Sequence, residues 1–285
     1  MAEEQPKDDA PIEAPPVVMT GLTYRDALTE VTGPARTLLE RWSEIPASEV
    51  VQHVNELRDR AYKVFPWASI GLYQFLEIDM LDFDCYPDIL DSIKKGALFL
   101  DLACCFAQEV RQVVADGAPP ENVYGTDLSS DLMNLGYDLF LDKDKFGVRF
   151  IQSDVLDSQS PLATEFQGRF DFIHSSNFFH AWEWGKAIEV AKCVVKLLSN
   201  KPGSMILGSQ VGVKRAKHLT FPHINRNVFC QSITTWKRLW SIVSEDTGIQ
   251  FDVQVTESSF RDAEAFAWPE DLEAFRMHFI IRRLS

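Results

Sequence analysis

Positive charge is scarce in this chain of 285 residues: 28 Lys and Arg stand against 42 Asp and Glu, for a formal net charge of −14. Nucleic acids and anionic lipid surfaces are held by clustered cations, so no nucleic-acid partner and no membrane partner is expected. The one small basic group, Lys214, Arg215 and Lys217, reads as a solvated loop. Long apolar runs are also missing, and none approaches the ~18 residues of a membrane span. The N-terminus is acidic and Pro-rich, without the apolar stretch of a secretory signal. Cysteine is limited to Cys85, Cys104, Cys105, Cys193 and Cys230, with no C-x-x-C spacing. That spacing indicates neither a disulfide framework nor a zinc site. Reduced thiols in a cytoplasmic protein, with no metal, is the simplest reading.

A more local absence matters most. Residues 97–109, ALFLDLACCFAQE, run from an apolar strand into a compact turn and then a helix. This is the geometry by which an α/β sheet binds a nucleotide-like ligand at a helix N-terminus. Glycine usually supplies such a turn with its left-handed backbone. Here the turn carries Ala103, Cys105 and Ala107 instead.

Around that stretch, the chain divides into three parts. Residues 1–18 carry charges and four prolines with few large apolar groups, and read as a disordered tail. Residues 19–95 read as an N-terminal helical cap. Leu38, Leu39, Trp42, Val50, Val54 and Leu57 recur at helical spacing, with a break near Pro46. Its aromatic-rich end places Tyr62, Trp67 and Tyr73 where they would cover a pocket, although core packing also explains such residues. Residues 96–285 alternate strand and helix. Strands are expected at 97–102, 122–126, 148–151, 170–174 and 204–210, then at 249–256 and 275–284 after a last helix. The expected fold is α/β, a Rossmann-like, doubly wound, seven-stranded sheet, mostly parallel, with the last strand antiparallel. Residues 211–231 read as a loop or insertion that would cover a substrate.

Ligands of such sheets bind beyond the carboxyl ends of the strands. The first strand ends at Asp101. The second ends at Asp127, about 20 residues past the turn, where a carboxylate meets ribose hydroxyls in dinucleotide-binding folds. The third is followed by Asp154, placed to accept from an adenine amine. The fourth leads to Ser175, Asn177, His180 and Trp182. Each acid has a bland alternative, as a turn or helix cap. Three acids at three successive strand ends argue together for a ligand.

The motif order resembles class I S-adenosylmethionine-dependent methyltransferases. The stretches that carry the resemblance are LFLDLACCFAQE, NVYGTDLSSDLMNLGYDLF, FIQSDVLD, FDFIHSSNFFHAWEWGKAIEVAKCVVKLL and PGSMILGSQVGV. More narrowly, LDLxCCFxQ, DGAP, LGYDLFxD and HxWxW are similar to fungal methyltransferases of terpenoid and meroterpenoid pathways. The resemblance implies S-adenosylmethionine as cofactor. Its methionine part would lie against Asp101 and the turn Ala103, Cys105 and Ala107, with Asp127 and Leu128 at the ribose. Asp154 and Val155 would meet the adenine, and Ser175 through His180 would lie near the transferred methyl. The acceptor would be an apolar small molecule bearing a carboxylate or a hydroxyl. A hydroxyl requires a general base, for which His180 and His174 are the candidates. Tyr62, Trp67, Tyr73, Asn177, Trp182 and His223 are the expected substrate contacts. The glycine-free turn keeps two other readings open: a methyltransferase fold repurposed as a natural-product cyclase or isomerase, and a non-catalytic pathway partner. A homodimer is also left open.

Overall fold

The computed structural model describes residues 16–19, 23–260 and 268–285. The expected tail therefore lies almost wholly outside the described residues. Its last two positions form a short strand, β1 (Val17–Val18). The cap consists of α1 (Gly33–Arg41), α2 (Val50–Val64), α3 (Ala68–Gly71) and α4 (Tyr86–Lys94). Then come β2 (Phe99–Leu102), α5 (Gln108–Ala115), β3 (Val123–Asp127), α6 (Ser130–Phe140), β4 (Arg149–Gln152), α7 (Pro161–Glu165) and β5 (Phe172–His174). The chain closes with α8 (Trp184–Leu197), β6 (Met205–Val213), β7 (Lys217–Phe221), β8 (Arg226–Cys230), α9 (Ile233–Thr247), β9 (Phe251–Ser258) and β10 (Ala274–Arg283).

Seven strands form one sheet in the order β4-β3-β2-β5-β6-β10-β9. The first five are parallel, and β10 runs antiparallel to both β6 and β9. The seven-stranded, mostly parallel sheet with an antiparallel last strand is thus present as expected. Strand β2 is buried along its whole length, which is why it reads as a continuous apolar run. Helices α8 and α9 cover one face through Val190, Val194, Trp236 and Trp240, and α2 packs beside α6 through Val54 and Leu57. No helix among the described residues is long and apolar enough to cross a membrane, and the five cysteines are free.

Two expectations change. Strand β6 continues to Val213 instead of stopping at Gln210. Residues 211–231 are then no loop, because β7 and β8 pair as an antiparallel hairpin to which β1 adds a parallel third strand. Between β5 and α8 the chain takes a single 3-10 turn at Phe179–Ala181.

Candidate active site

Above the carboxyl ends of β2, β3, β4 and β5 lies a cavity of about 430 Å³, roofed by the cap and walled by the β7–β8 hairpin. Its floor is the turn after β2. Cys104 and Phe106 point into the core, and Cys105 between them faces the cavity. The backbone follows with Ala103 at φ 59°, Cys105 at φ 51° and Ala107 at φ 55°. All three positions where glycine is absent are therefore left-handed, a conformation that costs an L-residue about 1–2 kcal/mol. The turn is braced from outside. Arg111, fully buried in α5, donates to the Phe106 and Ala107 carbonyls at 2.7 and 3.3 Å and is clamped by Asp142 at 2.8 and 2.9 Å. Gly136 lets α6 close on the same turn, since a Cβ there would meet the Phe106 carbonyl oxygen at 2.5 Å. Replacing Ala103, Cys105 or Ala107 by Gly relieves the left-handed penalty but loosens the unfolded chain by about 0.4–1 kcal/mol. The net expectation is a gain of about 0.5–1 kcal/mol per site, read as a higher midpoint in chemical denaturation.

The acids at the strand ends are held differently. Asp127 accepts from the backbone N–H groups of Cys105 and Ser129, both at 2.9 Å. Burial raises its carboxyl above the usual value, against those two hydrogen bonds. The carboxyl also lines the cavity. Asp154 is exposed at the rim and accepts from the Leu156 N–H at 2.9 Å. Leu128, 66% exposed, and Val155 complete that end of the wall.

Asp101 faces inward and accepts from His174 Nδ1 at 2.8 Å. Burial works against charge on His174. The Asp101 hydrogen bond and charge, with Glu109 and Asp79 beyond, overcome it and raise the imidazole to about 9. Glu109 is itself raised to about 8, chiefly by burial, while accepting from the Asp79 and Met80 N–H groups at 2.6 and 3.1 Å. His180 behaves in the opposite way. Burial, then the Arg276 charge, lowers it to about 4. Its Nδ1 accepts from the Val211 N–H at 3.4 Å, which leaves the proton of the neutral ring on Nε2. His180 uses its lone pair on the backbone, and the acids around His174 favour its charged form.

Of the expected substrate contacts, Trp67, Asn177, Trp182 and His223 line the cavity. Tyr62 and Tyr73 do not. Tyr62 bonds Thr23 and packs on Tyr24, and Tyr73 donates to Asn55 at 2.5 Å beneath the Arg58 guanidinium. Both serve the cap's own core, where Tyr24 and Tyr73 pack on the guanidinium of Arg58, which is 2% exposed. Ala107 and Ser175 sit behind the wall. Ala107 is fully buried, and the Ser175 carbonyl presses on Gly208, where a Cβ would lie 1.9 Å away.

Sequence reading missed a polar cluster on the cap side. Arg276 of β10 meets both Asp79 oxygens at 3.0 Å, Ser176 Oγ at 3.2 Å and Asn177 Oδ1 at 2.9 Å. Ser176 and Ser209 also donate to Asp79. A charged residue within an apolar β10 was the available signal.

Within the cavity wall, Gln108 Oε1 and His174 Nε2 are buried without a partner. One is an acceptor and the other a donor, as an ammonium and a carboxylate on one carbon require. The methionine end of S-adenosylmethionine fits that pair, and its ribose fits Asp127.

Residues 23–76 match the family model described as the meroterpenoid methyltransferase N-terminal domain. The methyltransferase adrK of Penicillium roqueforti is 41% identical over 89% of this chain and 90% of its own length. The chain belongs to this family of fungal methyltransferases. A further member, the asnovolin E/chermesin D methyltransferase nvfJ of Aspergillus novofumigatus, is 40% identical over 81% of this chain and 84% of its own. Among solved structures, phosphoethanolamine N-methyltransferase 2 of Haemonchus contortus shares the fold, with a TM-score of 0.54 at 15% identity over 89% of this chain and 61% of that one. Membership in this family makes the chain a methyltransferase of fungal secondary metabolism.

Proposed function

We propose that this methyltransferase forms a methyl ester on the carboxylate of an apolar terpenoid or meroterpenoid acid. The observation that carries the choice is the state of the two histidines. A hydroxyl acceptor needs a base in reach as the new bond forms; His180 spends its Nδ1 lone pair on the Val211 N–H, and the acids around His174 favour the charged imidazolium, which is no base. A carboxylate is already ionised at neutral pH, with an ordinary pKa of about 4, so no proton has to be removed.

S-Adenosylmethionine supplies an electrophilic methyl group when bound. Asp127 and Leu128 would hold its ribose, Asp154 and Val155 its adenine, and Asp101 with the turn at Ala103 and Cys105 its amino-acid end. Gln108 and His174 offer the buried acceptor and donor that this end requires. His180, with Nε2–H as a donor, orients a carboxylate oxygen. Trp67, Trp182 and Phe178 pack the apolar body and keep water out, and alignment with exclusion of water is the protein's main contribution. The five free thiols suit a reducing cytoplasm.

The pH–rate profile tests the assignment. Asnovolin E and chermesin D, the compounds in the nvfJ relative's name, are the first acceptors to try, with methyl incorporation as the readout. The expected kcat is flat from about pH 6 to about pH 8, because His180 titrates near 4 and His174 near 9. A tenfold rise per unit below an apparent pKa near the ordinary histidine value of 6.5 would instead assign a histidine base and a hydroxyl acceptor.

A further inference from the structure

Two arginines line the cavity, and they differ in what neutralises them. Arg276 is consumed by Asp79, with Glu77 3.6 Å away. Arg226, at the start of β8, meets no carboxylate among the described residues. Its guanidinium instead lies over the Trp67 ring at 5.5 Å, and Trp67 is stacked on Phe65 at 4.4 Å. Residues from the cap and the hairpin thus fix the face of the guanidinium. The planar edge, with its fork of N–H donors, remains unused, and that edge is the part that matches a carboxylate bidentately. An unneutralised arginine in the wall of an apolar cavity, in a chain of net charge −14, is a built anion anchor rather than a surface charge.

Its place along the hairpin adds a distance. The Phe229 N–H donates to the Trp182 carbonyl at 2.9 Å, which fixes β8 against the segment carrying His180. Arg226 is three residues from Phe229 toward the hairpin tip, about 10 Å along the strand at the usual rise per residue. It therefore lies well away from the oxygen that His180 would orient.

The geometry points to Arg226 as the specificity-determining anchor for a second, anionic oxygen group of the substrate, at the far end of an apolar body from the methyl-accepting oxygen. The substrate has two polar ends, one at His180 and one at Arg226, with the terpenoid framework between them over Trp67 and Trp182. This assignment rests on the cavity being the acceptor site of the methyltransferase.

The test uses the full chain and two probes of one shape, agathic acid (a bicyclic terpenoid with a carboxylate at each end) and its 15-monomethyl ester, which keeps one carboxylate. Binding is read from tryptophan fluorescence, since Trp67 and Trp182 line the cavity. The wild-type protein saturated with S-adenosylhomocysteine is expected to bind the diacid roughly tenfold more tightly than the monoester, the ordinary scale for a charge-assisted hydrogen bond. Arg226→Gln should abolish that preference by weakening the diacid alone, and Arg226→Lys should keep part of it. Equal loss for both probes would make Arg226 a packing residue on Trp67. A preference that survives Arg226→Gln, or no binding of either probe to the wild type, also overturns the proposal. Calorimetry with S-adenosylhomocysteine on each variant reports separately on folding and on the methyltransferase reading. If the wild type fails to bind it, that reading falls, while the diacid preference of the protein alone still decides the role of Arg226.

Discussion

Arg276→Met is expected to cost about 3–5 kcal/mol of folding stability, the usual range when one partner of a buried ion pair is removed. Burial by itself would raise the Asp79 carboxyl. The Arg276 guanidinium overrides that, helped by His174 and the Ser176 and Ser209 hydroxyls, and holds Asp79 well below the usual carboxylate range. Methionine fills similar space but leaves a buried carboxylate facing only hydroxyls. The damage should spread to the cap, because Asp79 and Met80 are also tied by their N–H groups to Glu109 of α5. Chemical unfolding measures the loss. The double variant Arg276→Met with Asp79→Leu should recover most of it, since a pair replaced together by apolar groups is often neutral or better. A loss below about 1 kcal/mol in the single variant would mean that water reaches Asp79 and that the cluster is not dry.

That cluster also marks the limit of what the sequence discloses. Asp101, Asp127 and Asp154 were legible because each stands at or just beyond the end of a strand, and all three line one cavity. Asp79 and Arg276 stand 197 positions apart, and no local period links residues joined only by the order of strands in a sheet. The cap aromatics failed for another reason. The sequence shows Tyr62, Trp67 and Tyr73 as aromatics that pack a core or cover a pocket, but not which face each takes. A buried Arg58 drew Tyr73 inward, while the stack of Phe65 on Trp67 turned that ring to the cavity. The hairpin was hidden because Pro222 and Asn225 interrupt a stretch whose two strands are only five residues each. His180 was found by position, yet its tautomer depends on a backbone N–H from another strand, which no sequence pattern contains.

Arg111→Met should be as costly, about 3–5 kcal/mol, and should also weaken S-adenosylhomocysteine binding without touching the ligand. Arg111 and Asp142 are both fully buried, and Tyr137, Phe140, Phe146 and Phe150 surround the guanidinium. Its removal leaves Asp142 with the Trp42 indole N–H at 3.0 Å as its remaining side-chain donor. It also frees the Phe106 and Ala107 carbonyls, so the left-handed turn loses the brace that holds it against its own strain. Left-handed backbone at three non-glycine positions persists only when the surroundings over-determine it, and Arg111 is that over-determination. The two features should therefore couple. In a variant carrying Gly at 103, 105 and 107, the turn holds its shape without strain, and Arg111→Met should then cost less in ligand affinity than it does in the parent. A double-mutant cycle on S-adenosylhomocysteine affinity, with unfolding followed in parallel, measures that coupling. Strict additivity would show that Arg111 supports the core alone and that the glycine-free turn keeps its shape by other means.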